Sequence, residues 1–148
     1  MSDLMRKWFC PWRKQAFGML PILVVDDELP VRQLITLILV RDGFQVVEAE
    51  DGLSALSVLQ KLNGELSLII SDVVMPRLDG ISLCKKVKQE FPRIPVVLVS
   101  GNRPEASGVG DRFLEKPLYP DVLLRAVRAL VGREPVSGSP VSESRSSL

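Results

Sequence analysis

The stretch that decides the fold is ILVVDD at residues 22–27, a short apolar run that ends in two carboxylates. Its four apolar residues, three of them β-branched, predict a strand that is buried on both faces of a sheet. Two later segments have a similar form, LSLIISD at residues 66–72 and FLEKP at residues 113–117. Because parallel strands end at the same edge of an open α/β sheet, we expect the charged side chains that follow them, including Asp72 and Lys116, to meet there.

Short apolar runs alternate with helical patterns through the middle of the chain, which is typical of βαβ units and a parallel sheet. The predicted strands cover residues 21–25, 44–48, 66–71, 95–99 and 112–115. The predicted helices cover residues 29–41, 52–62, 79–91 and 119–131. We therefore expect one α/β domain at residues 21–132, which is long enough to bury a substantial core.

The two ends of the chain differ from this domain in composition. Residues 1–20 carry four basic residues against one acidic residue, a net charge of +3, together with four aromatic residues. We expect a poorly ordered N-terminal extension, with contact to a membrane surface or a partner as the alternative. Residues 133–148 include six serines and few residues able to pack, so we expect a disordered Ser/Pro-rich tail.

Composition excludes several classes of function. The chain has no histidine, so it contains no His-based triad, no imidazole metal ligand and no phosphohistidine of its own. A net charge of +1 argues against nucleic-acid binding through bulk electrostatics. No apolar run reaches the roughly 18 residues that a membrane span needs, and the first residues lack the apolar core of a signal peptide. We therefore expect a cytoplasmic protein that does not bind nucleic acid directly.

If the carboxylates of Asp26, Asp27 and Asp72 lie close together, their charges affect one another. The three carboxylates would repel one another and raise one another's pKa unless a cation shared the site. Ligation by oxygen alone suits a hard divalent ion such as Mg2+, which binds one or two carboxylates and keeps waters and phosphate oxygens. The pattern indicates a Mg2+ and phosphoryl site. For Asp26 and Asp27 alone, the alternative is a cap for the helix that follows.

Four segments resemble, in order and at compatible spacings, the receiver domain of bacterial response regulators. They are Val24-Val25-Asp26-Asp27-Glu28, Ser71-Asp72-Val73-Val74-Met75-Pro76 with Asp79-Gly80, Val97-Leu98-Val99-Ser100-Gly101, and Phe113-Leu114-Glu115-Lys116-Pro117. The resemblance covers roughly residues 20–132. It implies a flavodoxin-like, doubly wound sheet of five parallel strands in the order 2-1-3-4-5.

The resemblance also implies roles for the acidic residues. Asp72 matches the family's phosphoacceptor. Asp27 would be a direct Mg2+ ligand, Asp26 would act mainly through coordinated water, and Asp72 with the backbone carbonyl of Val74 would complete the metal site.

Three further residues match positions that respond to the phosphoryl group in the family. Lys116 would pair with a carboxylate at rest and with a phosphoryl oxygen after modification, and its bond to Pro117 is cis in the family. Ser100 would donate a hydrogen bond from its hydroxyl to the phosphoryl group. Phe113 would be the switch aromatic, with a simple core role as the alternative.

One departure from the family lies between Ser100 and Lys116. The two residues are only 16 positions apart, a shorter separation than most receivers have. The intervening residues 101–112 include three glycines and a proline, which disfavour a helix. We expect the family's fourth helix to be short or absent, which affects the usual dimerisation and output face but not the phosphorylation chemistry.

By resemblance, the chain is a single-domain response regulator that accepts a phosphoryl group on Asp72. The donor would be a phosphohistidine of a sensor histidine kinase or of a histidine phosphotransfer protein, in a Mg2+-dependent two-component pathway or phosphorelay. We expect a phosphoacceptor rather than an enzyme, with at most self-phosphorylation and self-dephosphorylation. The alternatives are a Mg2+-dependent phosphatase with an aspartyl nucleophile and a receiver-like module that only binds protein.

The first predicted helix, at residues 29–41, is apolar over more of its circumference than packing on a sheet requires. Its core stripe is predicted to contain Val31, Leu34, Ile35 and Ile38. Leu37 and Val40 lie off that stripe, on a flank that would otherwise meet water. We expect the phosphodonor to dock on this flank; the alternative is that the N-terminal segment covers it.

Overall fold

The computed structural model describes residues 20–101 and 108–132. Within these residues the strands are β1 (Ile22–Val25), β2 (Val46–Ala49), β3 (Leu68–Asp72), β4 (Val96–Ser100) and β5 (Arg112–Glu115). The helices are α1 (Leu29–Arg41), α2 (Gly52–Lys61), α3 (Gly80–Glu90) and α4 (Pro120–Val131). The expectations for the N-terminal extension and for the tail concern residues 1–19 and 133–148, which lie outside this description.

All five strands are parallel and belong to one sheet in the order β2-β1-β3-β4-β5. This order confirms the predicted doubly wound topology. The register places Val25 beside Ser71 and Asp72 beside Val99, so neighbouring strands end level with one another. The order reverses at β1, and sheets of this kind bind their ligands beyond the carboxyl ends of the strands at such a point.

Helices cover both faces of the sheet. Leu23 and Val25 of β1 belong to an apolar cluster with α2 and α3. Ile22 and Val24, which point the other way, belong to a second cluster with α1 and α4. Because successive side chains of a strand alternate between the faces, a sheet covered on both faces requires apolar residues at every strand position. This is why the unbroken run before Asp26 identifies a central strand.

Two strands begin two residues later than predicted. Gly43 has a φ of 94° and the Phe44 N–H donates to the Leu39 carbonyl at 3.0 Å, so these residues complete the turn that ends α1. Strand β2 therefore begins at Val46. The start of β3 at Leu68 has a similar cause, because a turn occupies the residues before it.

The buried stripe of α1 differs from the prediction by one residue. Its buried members are Ile35, Ile38 and Leu39, and Val31 is partly buried against the same cluster. The assignment of Leu34 to the core is wrong, since 49% of its surface is exposed and Leu39 packs into the core instead. Leu37 and Val40 are exposed as expected. The water-facing side of α1 is therefore more apolar than the sequence suggested.

The connection between β4 and β5 is described only at its ends, because residues 102–107 lie outside the described ranges. The predicted absence of a full helix there stays a prediction. At the β5 end, the Asp111 carboxylate accepts bonds from the Val96 N–H at 2.8 Å and from the Lys88 ammonium at 2.5 Å. Burial alone would raise the pKa of Asp111, but these two donors outweigh it and hold the pKa below its usual value.

In residues 20–101 and 108–132, no helix has the length and apolar character that crossing a bilayer requires.

Candidate functional site

Three carboxylates meet at the carboxyl edge of the sheet. Asp26 and Asp27 follow β1, and Asp72 is the last residue of the adjacent β3. One carboxylate oxygen from each residue lies within 4.8 Å of the other two. Asp26 and Asp72 are buried, whereas Asp27 is exposed. The structure therefore brings together the three acidic residues that the sequence singled out.

The turn after β1 fixes the direction of Asp26. Its carboxylate accepts a hydrogen bond from the N–H of Glu28 at 2.8 Å, which closes the turn between β1 and α1. Pro30 follows in the first turn of α1, where the missing N–H has no cost. No side chain caps α1, whose N-cap residue is Glu28, so the alternative interpretation of Asp26 as a helix cap is wrong. The second carboxylate oxygen of Asp26 is directed toward Lys116.

Burial changes the protonation of two of the acids. Removal from water, with a further contribution from the negative charge of Asp72, raises the pKa of Asp26 to about 6. The N–H of Glu28 and the ammonium of Lys116 act in the opposite direction without cancelling it. Burial also raises the pKa of Asp72, although Lys116 opposes the shift. Both carboxylates are therefore destabilised as anions, which is the condition that a bound cation relieves.

Lys116 provides the positive charge of the site. Its Nζ lies 3.6 Å from Asp72 Oδ1 and 3.9 Å from Asp26 Oδ2. Its backbone N–H donates to the Ser100 carbonyl at 2.9 Å, which extends the pairing of β4 and β5 beyond β5. The peptide bond to Pro117 is cis, as the resemblance implied.

The other predicted site residues lie on the strands and loops around the three carboxylates and differ in burial. Ser100 is buried at the end of β4, the strand that pairs with the Asp72 strand. Val74 lies two residues after Asp72 with an exposed side chain. Phe113 is half-buried on β5 and packs against the apolar cluster under α2 and α3. These positions are compatible with the predicted roles, which stay predictions.

Sequence reasoning missed two paired arginines at the carboxyl edge of the sheet. Arg32 of α1 donates to the carbonyl oxygen of Asp26 at 2.6 Å. Arg77, in the loop after β3, pairs with the buried carboxylate of Asp51, which also accepts from the N–H of Ser54 at the start of α2. The only signal for Asp51 was its place before a helix, and nothing in the sequence pattern marked either arginine.

The oxygen-only donor set fits a hard divalent cation. Three carboxylates converge, two of them have raised pKa values, and one lysine compensates only part of their charge. An ion such as Mg2+ takes its protein ligands from oxygen atoms of this kind. On chemical grounds, the residues present are therefore compatible with the metal that the sequence predicted.

The raised pKa of Asp26 predicts how stability depends on pH without metal. The value is about 6 in the folded protein and about 3.9 in an unfolded chain, so the folded state binds the extra proton between these values. The contribution of Asp26 is therefore fully present below about pH 4 and is lost as pH rises through about 6. About 1.4 kcal/mol of it remains at pH 5, and this remainder disappears by about pH 7.5. Chemical denaturation of the metal-free protein should give a higher unfolding free energy at about pH 5 than at about pH 7.5. Equal values would contradict the raised pKa.

Added Mg2+ should oppose the loss of stability that the metal-free protein shows as pH rises. A cation that binds only the folded state raises the melting temperature by mass action, and it competes with protons for the same carboxylates. We expect millimolar Mg2+ to raise the melting temperature at neutral pH and to have much less effect at about pH 5. Asp27→Ala should reduce the neutral-pH shift, whereas Asp121→Ala, at an exposed carboxylate of α4, should leave it unchanged. An unfolding curve that Mg2+ does not move would exclude a metal site.

Comparison with known proteins gives the family. The model of the response regulator receiver domain matches residues 22–128. The alkaline phosphatase synthesis transcriptional regulatory protein PhoP of Bacillus subtilis is 33% identical over 128 residues, which cover 82% of this chain and 52% of PhoP. The sensor kinase CckA of Brucella abortus is 33% identical over 125 residues, which cover 79% of this chain and 13% of CckA. The chain thus spans about half of the first relative's length and much less of the second's.

A solved structure agrees with the sequence matches. The response regulator TrrA of Thermotoga maritima, in a complex with Mg2+-BeF, superposes with a TM-score of 0.68 at 27% identity and covers 74% of this chain and 97% of that one. The family match includes every described strand and every candidate site residue from Asp26 to Lys116. The chain therefore belongs to the response regulator receiver domain family.

Proposed function

We propose that this chain is a response regulator receiver domain that accepts a phosphoryl group on Asp72. The donor is a phosphohistidine of a sensor histidine kinase or of a histidine phosphotransfer protein, and the reaction takes place in the cytoplasm and requires Mg2+. The observation that carries the proposal is the position of Asp72. Its carboxylate lies at a strand end, close to two further carboxylates and 3.6 Å from the ammonium of Lys116. The chain has no histidine of its own, so the donor histidine lies outside these residues.

In the proposed transfer, a carboxylate oxygen of Asp72 attacks phosphorus. The P–O bond forms as the P–N bond to the donor histidine breaks, and the electron pair of that bond returns to the imidazole, which takes up a proton. A carboxylate is a weak nucleophile, so the protein contributes mainly position and charge. Asp72 is held at the end of β3. The ammonium of Lys116 lies close enough to pair with the Asp72 carboxylate before transfer and with a phosphoryl oxygen after it.

The residues that would hold Mg2+ are Asp26, Asp27 and Asp72 with the backbone carbonyl of Val74. When bound, the ion supplies positive charge against the carboxylates and the phosphoryl oxygens. TrrA, a structural relative, forms a complex with Mg2+-BeF, which supports the same type of site here. We assign to Ser100 a hydrogen bond to the phosphoryl group and to Phe113 the movement that reports it.

The strongest rival is a phosphatase that uses Asp72 as a transient nucleophile. Such an enzyme needs a second acid near the nucleophile, and Val74, two residues after Asp72, cannot act as one. The two functions differ in stoichiometry. With an excess of a phosphorylated histidine donor, the acceptor should take up at most one phosphoryl group per chain and then stop. Continuous release of inorganic phosphate from small phosphate esters would favour the phosphatase instead.

An exposed apolar surface adjoins the candidate site and supports a protein donor. The large apolar side chains that remain exposed include Leu29, Leu34, Leu37 and Val40 of α1, together with Leu53, Val74 and Tyr119 around the carboxyl edge. Leu29 begins α1 directly after the Asp26 turn, so the exposed apolar side of α1 starts at the rim of the site. Exposed apolar side chains grouped on one helix commonly mark a protein-binding region.

Leu37→Glu should therefore slow phosphorylation by a protein donor but not by a small-molecule donor. A carboxylate on the exposed side of α1 should slow transfer from the cognate histidine donor about tenfold or more. Burying an unpaired charge in an apolar interface costs more than the roughly 1.4 kcal/mol that corresponds to a factor of ten. Phosphorylation by a small molecule such as acetyl phosphate should not change. Gln60→Glu, at an exposed position of α2 on the opposite face of the sheet, is the control. Equal losses with both donors would indicate misfolding, and no loss with either would exclude α1 as the docking surface.

A further inference from the structure

Arg32 connects the metal-site turn to the neighbouring strand. Its Nη1 donates to the carbonyl oxygen of Asp26 at 2.6 Å, and its Nε donates to Glu48 Oε1 of β2 at 3.0 Å. The hydroxyl of Thr36, one turn further along α1, donates to Glu48 Oε2 at 2.8 Å. The Arg32 side chain is 14% exposed and that of Glu48 is 35% exposed, so the guanidinium is largely shielded from water whereas its carboxylate partner is not. The guanidinium thus bonds two different elements at once, the turn after β1 through Nη1 and strand β2 through Nε.

The bonded carbonyl is the one that sets the position of Asp27. The carbonyl of Asp26 and the amide nitrogen of Asp27 belong to one planar peptide unit, so a bond that holds the first orients the second. Asp27 is the exposed member of the three carboxylates and has the most freedom to turn away into water. Repulsion from Asp26 and Asp72 drives it in that direction whenever no cation is bound.

We propose that Arg32 is a positioning residue that holds the Asp26–Asp27 peptide so that the Asp27 carboxylate stays beside Asp72 and ready for a divalent cation. This inference rests on the proposed Mg2+-dependent function. Glu48 and Thr36 hold the guanidinium in turn, and Glu48 balances its charge, so that Arg32 does not itself act as a competing cation among the acids. The arrangement reduces the ordering that metal binding would otherwise require.

Isothermal titration of the full chain with Mg2+ at neutral pH tests this role. Arg32→Ala should weaken Mg2+ binding about tenfold, which is typical for loss of a residue that orients a metal ligand. Arg32→Lys should recover part of the affinity, because an ammonium can bond the carbonyl but cannot also supply the second fixed donor. Phosphorylation of Arg32→Ala by acetyl phosphate should return toward the wild-type rate at saturating Mg2+.

Arg128→Ala is the matched control for a purely structural effect. Arg128 of α4 is also partly buried and binds the Asp42 carboxylate through two nitrogens, at 2.5 and 3.1 Å, where α1 ends. Its loss should lower the melting temperature without changing Mg2+ affinity. If Arg32→Ala binds Mg2+ as wild type does, or if both variants lose affinity equally, the positioning role is wrong. If Arg32→Ala does not fold, Arg32→Lys decides by the same comparison. A wild-type protein that does not bind Mg2+ would instead overturn the proposed function, and this inference with it.

Discussion

Asp72→Asn should abolish phosphoryl uptake and at the same time raise the melting temperature of the metal-free protein. The first effect follows because an amide cannot replace the carboxylate oxygen that forms the bond to phosphorus. The second follows because burial raises the pKa of Asp72 despite the nearby Lys116, so its anion is a net cost to the folded state at neutral pH. An uncharged side chain of the same shape removes that cost. Phosphate-affinity gel electrophoresis and calorimetry measure the two effects on the same samples.

Asp111→Asn is the matched control, and we expect the opposite pattern from it. Its carboxylate accepts from Lys88 and Val96 on the far side of the domain, and its pKa is held below the usual value. Loss of that charge should lower the melting temperature near neutral pH and leave phosphoryl uptake intact. If Asp72→Asn still took up phosphoryl groups at the wild-type level, the acceptor would be another residue.

Gly80→Ala should be the most destabilising single methyl group added near the site. A Cβ on Gly80 would lie 2.1 Å from the carbonyl oxygen of Asp72 and 2.9 Å from the Cα of Val73. Both atoms belong to the backbone, and the N–H of Gly80 is bonded to the Val73 carbonyl at 2.8 Å, so the loop cannot yield without moving Asp72. We expect a loss of about 3 kcal/mol in unfolding free energy, the upper end of what overpacking costs.

The control for this glycine is Gly108→Ala, because a Cβ there would have no neighbour within 4 Å. Urea denaturation should show the loss only for Gly80→Ala. The same variant should also reduce phosphoryl uptake, since Asp72 moves with the loop. A Gly80→Ala protein as stable as Gly108→Ala would mean that the loop after β3 is not packed as described.

The fold could be predicted largely because apolar strands and charged strand ends are local signals. The unbroken run before Asp26 identified a strand covered on both faces, and the edge rule for parallel sheets then placed Asp72 beside it. Helix α1 was less predictable, since it is apolar on most of its circumference. Periodicity alone could not decide between Leu34 and Leu39, and packing selected the second.

The parts that sequence reasoning missed depend on contacts between distant elements. Arg32 and Glu48 are 16 positions apart, and they are in contact because α1 packs against β2 with Arg32 on the side that faces Glu48. Arg77 and Asp51 are 26 positions apart, and their pair links a loop to the start of another helix. Neither pair belongs to a periodic pattern, and the residue types alone would suggest solvated charges. Only the packed structure shows these contacts.

Intact-protein mass spectrometry tests the central claim most directly. The full chain is incubated with acetyl phosphate and Mg2+, in parallel with a sample that contains excess chelator, and modified peptides are then mapped. We expect one phosphoryl adduct per chain, located on Asp72, in the sample with Mg2+ and little or none with the chelator. An adduct that forms equally well without the metal, or that maps to a residue other than Asp72, would contradict the account.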